Sequence, residues 1–233
     1  GVTPGRGGDW ILDGKVPVFD STRTAVELTG ANTALITVPA RFAKDALLEC
    51  SSAGISLVVC VTENIPLKDM MIVKQFYQQH NTKLLGPSSP GIFSPHTAMI
   101  GTFPFKDLQS GNIGVVSRSG SLTYEVMNVL AGADIGISTC VGIGAAPIHG
   151  IGFIEVLNAM QRDPETAKII LIGRIDNREE EEALQHAIKN ILKPIVVFFY
   201  GYCRTDEPDT EAIEQAFPLA RTLKEIPEIL NHT

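Results

Sequence analysis

The sequence predicts an α/β protein built on parallel sheets. Short apolar runs alternate with amphipathic stretches along most of the chain. Two of those runs, Ser56–Thr62 and Ile195–Tyr200, are apolar on both faces and rich in β-branched or aromatic residues, as strands covered on both sides are. Glycine and proline fall between the runs, where the chain has to turn.

The elements divide into two blocks. In the first, Val16–Phe19 is a short strand, and Ser21 and Thr22 cap a helix that runs through Leu28 to a stop at Gly30. Thr33–Val38 is a strand, Arg41–Cys50 a helix ended by Gly54, and Ser56–Thr62 a buried strand. Pro66 opens a helix through His80, a first-turn position where its missing N–H costs nothing. Lys83–Leu85 is a last short strand before Gly86-Pro87. Residues 87–110 are rich in Pro, Gly, Ser and Phe and read as an irregular linker. In the second block Asn112–Val116, Ile137–Val141, Lys168–Ile172 and Ile195–Tyr200 are strands. Ser121–Leu130, Gly152–Gln161 and Arg178–Leu192 are helices, with a terminal helical region from Thr210 to Phe217. These blocks set domains of 1–106 and 107–233. No internal repeat or low-complexity segment interrupts them.

Composition narrows the function. The chain has 233 residues with 44% hydrophobic and 19% charged, ordinary for a folded domain pair. A net charge of −7 argues against non-specific nucleic-acid binding, which needs a basic footprint. The four cysteines (Cys50, Cys60, Cys140 and Cys203) form no CxxC pair, which argues against a zinc site and a disulfide scaffold. Reduced thiols suit a cytoplasmic compartment. No apolar run approaches the ~20 residues of a membrane span. The chain opens at Gly1 with no methionine and no targeting segment, a start equally compatible with a removed leader.

In parallel sheets, ligands sit outside the carboxyl ends of the strands. Those ends are Val38-Pro39, Val61-Thr62-Glu63, Ser117–Gly120, Gly142–Gly144 and Gly173-Arg174. The segment VVSRSGSLTYEV (115–126) stands out: a strand enters a small-residue turn and a helix begins. The first N–H groups of a helix lack intrahelical acceptors, and the helix dipole adds partial positive charge there. Such a point suits a phosphate or carboxylate. A simple N-cap by Ser119 uses the same residues.

Six segments in order, GVTPGRGG (1–8), VTENIP (61–66), GPSSPG (86–91), VVSRSGSLTYE (115–125), CVGIG (140–144) and LIG (171–173), resemble the succinyl-CoA synthetase (succinate–CoA ligase) alpha-subunit family over nearly the whole chain. The resemblance implies a Rossmann-like CoA-binding domain followed by a flavodoxin-like, doubly wound parallel-sheet domain. It implies an acid–thiol ligase of the tricarboxylic acid cycle. That enzyme makes succinyl-CoA or a similar thioester from a small carboxylate, CoA and ATP or GTP, through acyl phosphate and phosphohistidine. The partner would be an ATP-grasp beta-like subunit carrying the nucleotide and its magnesium. The location would be the cytoplasm, or the mitochondrial matrix in a eukaryote, with no membrane and no nucleic acid involved.

By motif, Arg6 would neutralise a CoA phosphate with Val2 and Pro4 beside it, its planar fork replacing the family's usual Lys. Pro39, Val61, Thr62 and Glu63 would line the CoA cleft. Ser117, Ser119 and Gly120 would hold phosphate or the phosphohistidine, and Tyr124 the carboxylate substrate. Each has a plainer reading: a flexible glycine loop with a solvated Arg6, a Glu63 facing water, a half-buried packing role for Tyr124.

The chain departs from the family pattern in four places. The GHAG-type loop with the phosphohistidine is missing: Tyr200-Gly201-Tyr202-Cys203-Arg204 runs almost directly into the terminal helical region. Of the histidines, His80, His96, His186 and His232 read as solvated, and His149 as a turn residue or a neighbour of the strand ends. Second, Arg174-Ile175-Asp176-Asn177 stands where the family has an acid followed by Ile-Gly-Gly, and a cation cannot accept from an imidazole N–H. Arg174 would bind a phosphate or pair with the acidic run Glu179–Glu182. Third, Ala145-Ala146-Pro147 replaces Gly-Asp-Pro. Fourth, a strand, a Gly-rich turn and a helix precede GVTPG in the family. Either the sequence is incomplete there or it is a truncated relative, and the cost of unpaired buried strand edges favours incompleteness. A non-catalytic CoA-binding or interaction module is the alternative reading. An NAD-binding Rossmann protein is weaker, because no GxGxxG lies between a strand and a helix.

Overall fold

The computed structural model describes residues 1–104, 108–174, 178–201, 213 and 215–233. Asp176, Asn177, Cys203, Arg204 and half of the Thr210–Phe217 region lie outside the described residues. The chain packs into two compact units, Gly1–Pro87 with Ala146–Gly150, and Ser88–Ala145 with Ile151–Thr233.

The first unit opens with a hairpin, β1 (Trp10–Ile11) and β2 (Val16–Pro17), where a single strand over Val16–Phe19 was expected. Then come α1 (Thr22–Thr29), β3 (Thr33–Ile36), α2 (Ala40–Ser52), β4 (Leu57–Cys60), α3 (Leu67–Gln78) and β5 (Lys83–Leu85). Ser21 caps α1 through its hydroxyl, and Gly30 ends it in the left-handed conformation (φ 70°). Strands β3, β4 and β5 form a parallel sheet with β4 in the middle. Val58, Val59 and Cys60 are all buried, so this strand is shielded on both faces as its composition predicts. Leu47 and Cys50 from α2 and Met70, Val73 and Tyr77 from α3 share a core with Val58 and Cys60. The buried Tyr77 hydroxyl donates to the Leu47 carbonyl at 2.9 Å, so its polar tip is satisfied.

The second unit holds β6 (Gly91–Ser94), β7 (Ala98–Gly101), β8 (Ser110–Ser117), α4 (Gly120–Gly132), β9 (Ile137–Gly142), α5 (Phe153–Arg162) and β10 (Lys168–Arg174). It continues with α6 (Arg178–Asn190), β11 (Ile195–Tyr200), β12 (Leu219–Ala220) and, after one 3₁₀ turn, α7 (Ile226–His232). Its seven strands run β12-β11-β10-β8-β9-β6-β7. From β8 the chain steps outward to β9, then crosses to β10, β11 and β12 on the other side. This is the doubly wound 2-1-3-4-5 order, with its switch point at β8.

The expected linker is the main difference. Residues 87–110, of which 105–107 lie outside the described residues, contain β6 and β7, an antiparallel pair laid against β9. Gly91 and Gly101 pair across it with φ of 108° and 145°, and a Cβ on either would strike the opposite backbone. These glycines mark close strand approach. Phe93 and Phe103 join the core, their rings 5.6 Å apart.

Burial pushes the thiols of Cys50 and Cys60 up to about 11 and that of Cys140 higher still. Little thiolate exists at neutral pH, and none of the three side chains is exposed. Alkylation of the native protein at pH 7.5 should therefore leave these three unmodified in peptide maps, and denaturant should expose all of them. Rapid native labelling of Cys60 would contradict the packing of β4.

Candidate functional site

In the first unit the strand ends named above come together. The hydroxyl of Thr62 donates to the Val38 carbonyl at 2.7 Å, and the Val61 amide donates to the Ile36 carbonyl at 3.1 Å. The exits of β3 and β4 are thus tied, with Pro39 at the start of α2 and Glu63 exposed beside them. Val2 forms a parallel bridge with Phe19, which pins the start of the glycine loop. Gly7 donates its amide to Asp20 at 2.9 Å, and a Cβ at Gly7 would meet that carboxylate. Pro4 and Arg6 are exposed. Arg6 donates through Nε to Asp9 at 2.8 Å.

In the second unit β8 ends at the switch point and α4 begins. Ser119 is its N-cap, with Oγ accepting the Leu122 amide at 3.3 Å. The Ser117 hydroxyl is buried and used within the turn: it donates to the Ser119 carbonyl (3.0 Å) and accepts from the Ser119 amide (3.1 Å). Among the described residues, the backbone amides of Gly120 and Ser121 are then the donors left at the helix start. A Cβ built on Gly120 meets nothing within 4 Å, so the side of the turn at the Gly120 Cα is open among the described residues. Tyr124 is half-buried, its hydroxyl bonded to Oγ1 and the carbonyl of Thr102 (2.9 and 3.1 Å) and its ring edge-on to Phe103.

Sequence reasoning passed over Arg118. Its guanidinium is buried, donates through Nε to Glu180 at 2.8 Å and through Nη2 to Glu179, and lies over the Phe153 ring at 5.6 Å. The same Glu180 oxygen accepts the Arg174 backbone amide at 3.1 Å. One carboxylate therefore joins the ends of β8 and β10. Arg118 pairs with Glu179 and Glu180 of the acidic run, and the Arg174 residue is exposed at the end of β10. Glu180 is 1% exposed, and its Oε2 has no hydrogen-bond partner among the described residues. Burial raises its carboxyl above the ordinary range, against the lowering pull of the Arg174 amide and the Arg118 charge. Gly173 makes room for it: a Cβ there would sit 2.6 Å from Glu180 Cγ.

The histidines are dispersed. His80 stacks on Phe76 at 4.1 Å, and His96 sits exposed in the β6–β7 turn with φ 58°. His232 is exposed in α7. His186, expected to be solvated, is half-buried and bonds Asn158 at 2.9 Å, joining α6 to α5. His149 is buried.

Residues 1–64 match the CoA binding domain family, and residues 110–215 match the succinyl-CoA ligase like flavodoxin domain. Relatives named succinate–CoA ligase [ADP-forming] subunit alpha include one from Aquifex aeolicus, 47% identical over 86% of this chain and 66% of its own length. Another, subunit alpha 1 from Archaeoglobus fulgidus, is 45% identical over 89% of this chain and 70% of its own. The chain belongs to the succinate–CoA ligase alpha-subunit family. It spans about two thirds of the length of the curated relatives it matches.

Solved structures agree on the fold. An acetyl-coenzyme A synthetase 1 from Ca. Korarchaeum cryptofilum superposes with a TM-score of 0.80 at 18% identity, covering 97% of this chain and 52% of its own. An ATP citrate lyase from Methanothrix soehngenii gives 0.82 at 20%, covering 93% and 41%. Membership of the ligase alpha-subunit family supports the two-domain reading over a bare interaction module. No helix among the described residues is long and apolar enough to cross a membrane, and none of their His, Cys, Asp or Glu groups cluster as a metal site.

The Arg118–Glu180 pair generates a prediction. Removing one partner of a buried pair strands the other charge, so Glu180→Ala should cost about 3–5 kcal/mol. A chemical melt reads this directly, and a loss below about 1 kcal/mol would show that the pair is dispensable. Glu180→Gln should also change the pH dependence. A raised carboxyl in the folded state binds its proton more tightly than in the unfolded chain, so its contribution falls as pH climbs from the ordinary carboxylate range through the raised value. The Gln variant should lack that decline.

Proposed function

We propose that this chain is the CoA-binding, alpha-type subunit of an acid–thiol ligase that forms a thioester from a small carboxylate, succinate by its relatives' names, with CoA and a nucleoside triphosphate. The nucleotide and its magnesium would be held by an ATP-grasp beta-type partner, and the two would work in the cytoplasm. The observation that carries the reading is the open start of α4 at the switch point, on the flavodoxin-type sheet of a chain whose first 64 residues match a CoA-binding family.

The chemistry follows from charge placement. A carboxylate becomes electrophilic once a phosphoryl group caps one oxygen. The CoA thiolate then attacks the acyl carbon, the C–S bond forms, and inorganic phosphate leaves with the C–O electron pair. Charge develops on the phosphoryl oxygens throughout. The Gly120 and Ser121 amides and the α4 dipole supply fixed donors for it, stronger than water because they do not reorganise. Arg6 would meet a CoA phosphate, and Val2, Pro4, Pro39 and Val61–Glu63 would line the carrier's path. Tyr124 would contribute through its hydroxyl at the Thr102 side of the α4 start. The phosphohistidine that the resemblance implies has no matching histidine in the 233 residues, so no step is assigned to one.

Two measurements test this. Calorimetry with CoA should give saturable binding, weakened roughly tenfold by Arg6→Ala, the worth of one charge-assisted hydrogen bond. Mixing the chain with a beta-type subunit, succinate, CoA and ATP should give thioester absorbance and equimolar nucleoside diphosphate. CoA binding without thioester in any subunit mixture would leave a carrier-binding protein and end the ligase reading. Absence of CoA binding would end both.

A further inference from the structure

The β1–β2 hairpin spends conformational energy without burying itself. Its loop passes through Leu12, Asp13 and Gly14, all in the left-handed region at φ 51°, 55° and 79°. Glycine takes that conformation freely and aspartate tolerates it in turns, but for Leu12 it costs on the order of 1 kcal/mol or more. Yet Leu12 is 69% exposed, with Trp10 at 61% and Ile11 at 41%. The strained turn thus holds three consecutive large apolar side chains toward water. Strain of this kind points to a function when no packing accounts for it.

The base of the hairpin is firm. Gly8 donates to the Val18 carbonyl at 3.0 Å, Val18 to the Asp9 carbonyl at 2.8 Å, and Trp10 pairs with Pro17. Below it lies the only cation of the glycine loop, Arg6. The Asp9 amide closes a turn onto the Arg6 carbonyl at 3.2 Å, and Asp9 Oδ2 accepts from Arg6 Nε at 2.8 Å. Asp9 therefore orients the guanidinium through one nitrogen. The two terminal nitrogens keep the fork geometry that suits phosphate oxygens. An indole plane and an oriented guanidinium sit four residues apart on one turned segment. A ligand that offers a flat heterocycle and phosphates together is a nucleotide, and CoA carries its adenine next to three phosphates.

Building on the CoA reading above, we infer that the hairpin is a base-stacking flap: Trp10 stacks on the adenine of CoA while the Arg6 fork meets its phosphates. The strained loop fixes the platform before the ligand arrives, so less order has to be gained on binding. Stacking of a base on an aromatic side chain is insensitive to ring substituents. The flap would therefore add affinity for the nucleotide end of the carrier and leave its thiol end free.

Trp10 is the only tryptophan in the chain, so its fluorescence reports on this one position. The full chain is titrated with CoA, with adenosine 3′,5′-bisphosphate (base and phosphates, no pantetheine) and with 4′-phosphopantetheine (no base), following emission and heat together. CoA and the bisphosphate should quench or shift the emission, and phosphopantetheine should not. Trp10→Ala should weaken CoA and bisphosphate binding by about tenfold, the scale of one base–aromatic stack. Trp10→Phe should keep most of the affinity, and neither variant should alter phosphopantetheine binding or the melting temperature. The flap is overturned if CoA binds by heat with unmoved emission and equal affinity in Trp10→Ala, an outcome that leaves the CoA reading intact. It is also overturned if phosphopantetheine moves the emission as CoA does. If CoA gives no heat with the parent chain, the CoA reading and the flap fall together.

Discussion

The second unit depends on a buried charge pair at the switch point of its sheet. Taking a carboxylate and a guanidinium out of water costs several kcal/mol for each ion, and only good geometry and further hydrogen bonds offset that cost. Glu180 and Arg118 meet the condition through a 2.8 Å contact, a second carboxylate from Glu179 and an amide from Arg174. The partners come from the exit of β8, the exit of β10 and the first turn of α6, with Phe153 at the head of α5 against the guanidinium. Four segments that hydrophobic packing alone would leave free to shift are joined at one point. The acidic first turn of α6 also faces the positive end of its own helix dipole, which lowers the cost of holding two carboxylates there.

This pair determines what the α4 start can do. Donors stabilise developing charge only if they are fixed in advance. The Ser117–Gly120 turn is fixed from inside by Ser117, whose hydroxyl closes on Ser119, and from behind by Arg118. Its serines and its arginine are thus spent on shaping the turn, and the backbone is what remains for an anion. The glycine loop of the first unit is built in the opposite way. Arg6 is exposed and held by one exposed carboxylate, a pair of little energetic weight. One centre is rigid and dipolar, suited to a reacting group. The other is a charged fork on a turned surface segment, suited to a carrier that must arrive and leave.

Much of this was readable from residues. Every strand predicted from an apolar run exists, because a run such as Val196–Phe199 has nowhere to go but a covered sheet. The helix start at Ser119 was legible from small residues after a strand. The 87–110 stretch was not, because glycine and proline signal both irregular chain and close strand approach. Only the short apolar pairs Ile92-Phe93 and Met99-Ile100, which face each other across the two strands, separate the two. Arg118 was illegible for a different reason. An arginine between two serines reads as solvated, and its burial is decided by carboxylates 61 and 62 residues away. The β1–β2 hairpin escaped because two-residue strands carry almost no periodicity.

The arginine at 174 illustrates how fold and chemistry separate in this site. The carboxylate bridge reaches residue 174 through its backbone amide, which every residue except proline supplies. A side-chain change at 174 therefore leaves the bridge between β8 and β10 intact. Where the resemblance implies an acid, the chain carries Arg174, and the amide contact to Glu180 does not depend on which side chain stands there. Ile172 pairs with Ser117, so residue 174 lies two positions beyond the end of β8, on the edge where α4 begins. An acid there would repel a phosphate and accept from an imidazole. A cation does neither. The fold accommodates either charge at 174 because the carboxylate that ties this edge together comes from Glu180 and meets residue 174 at its backbone.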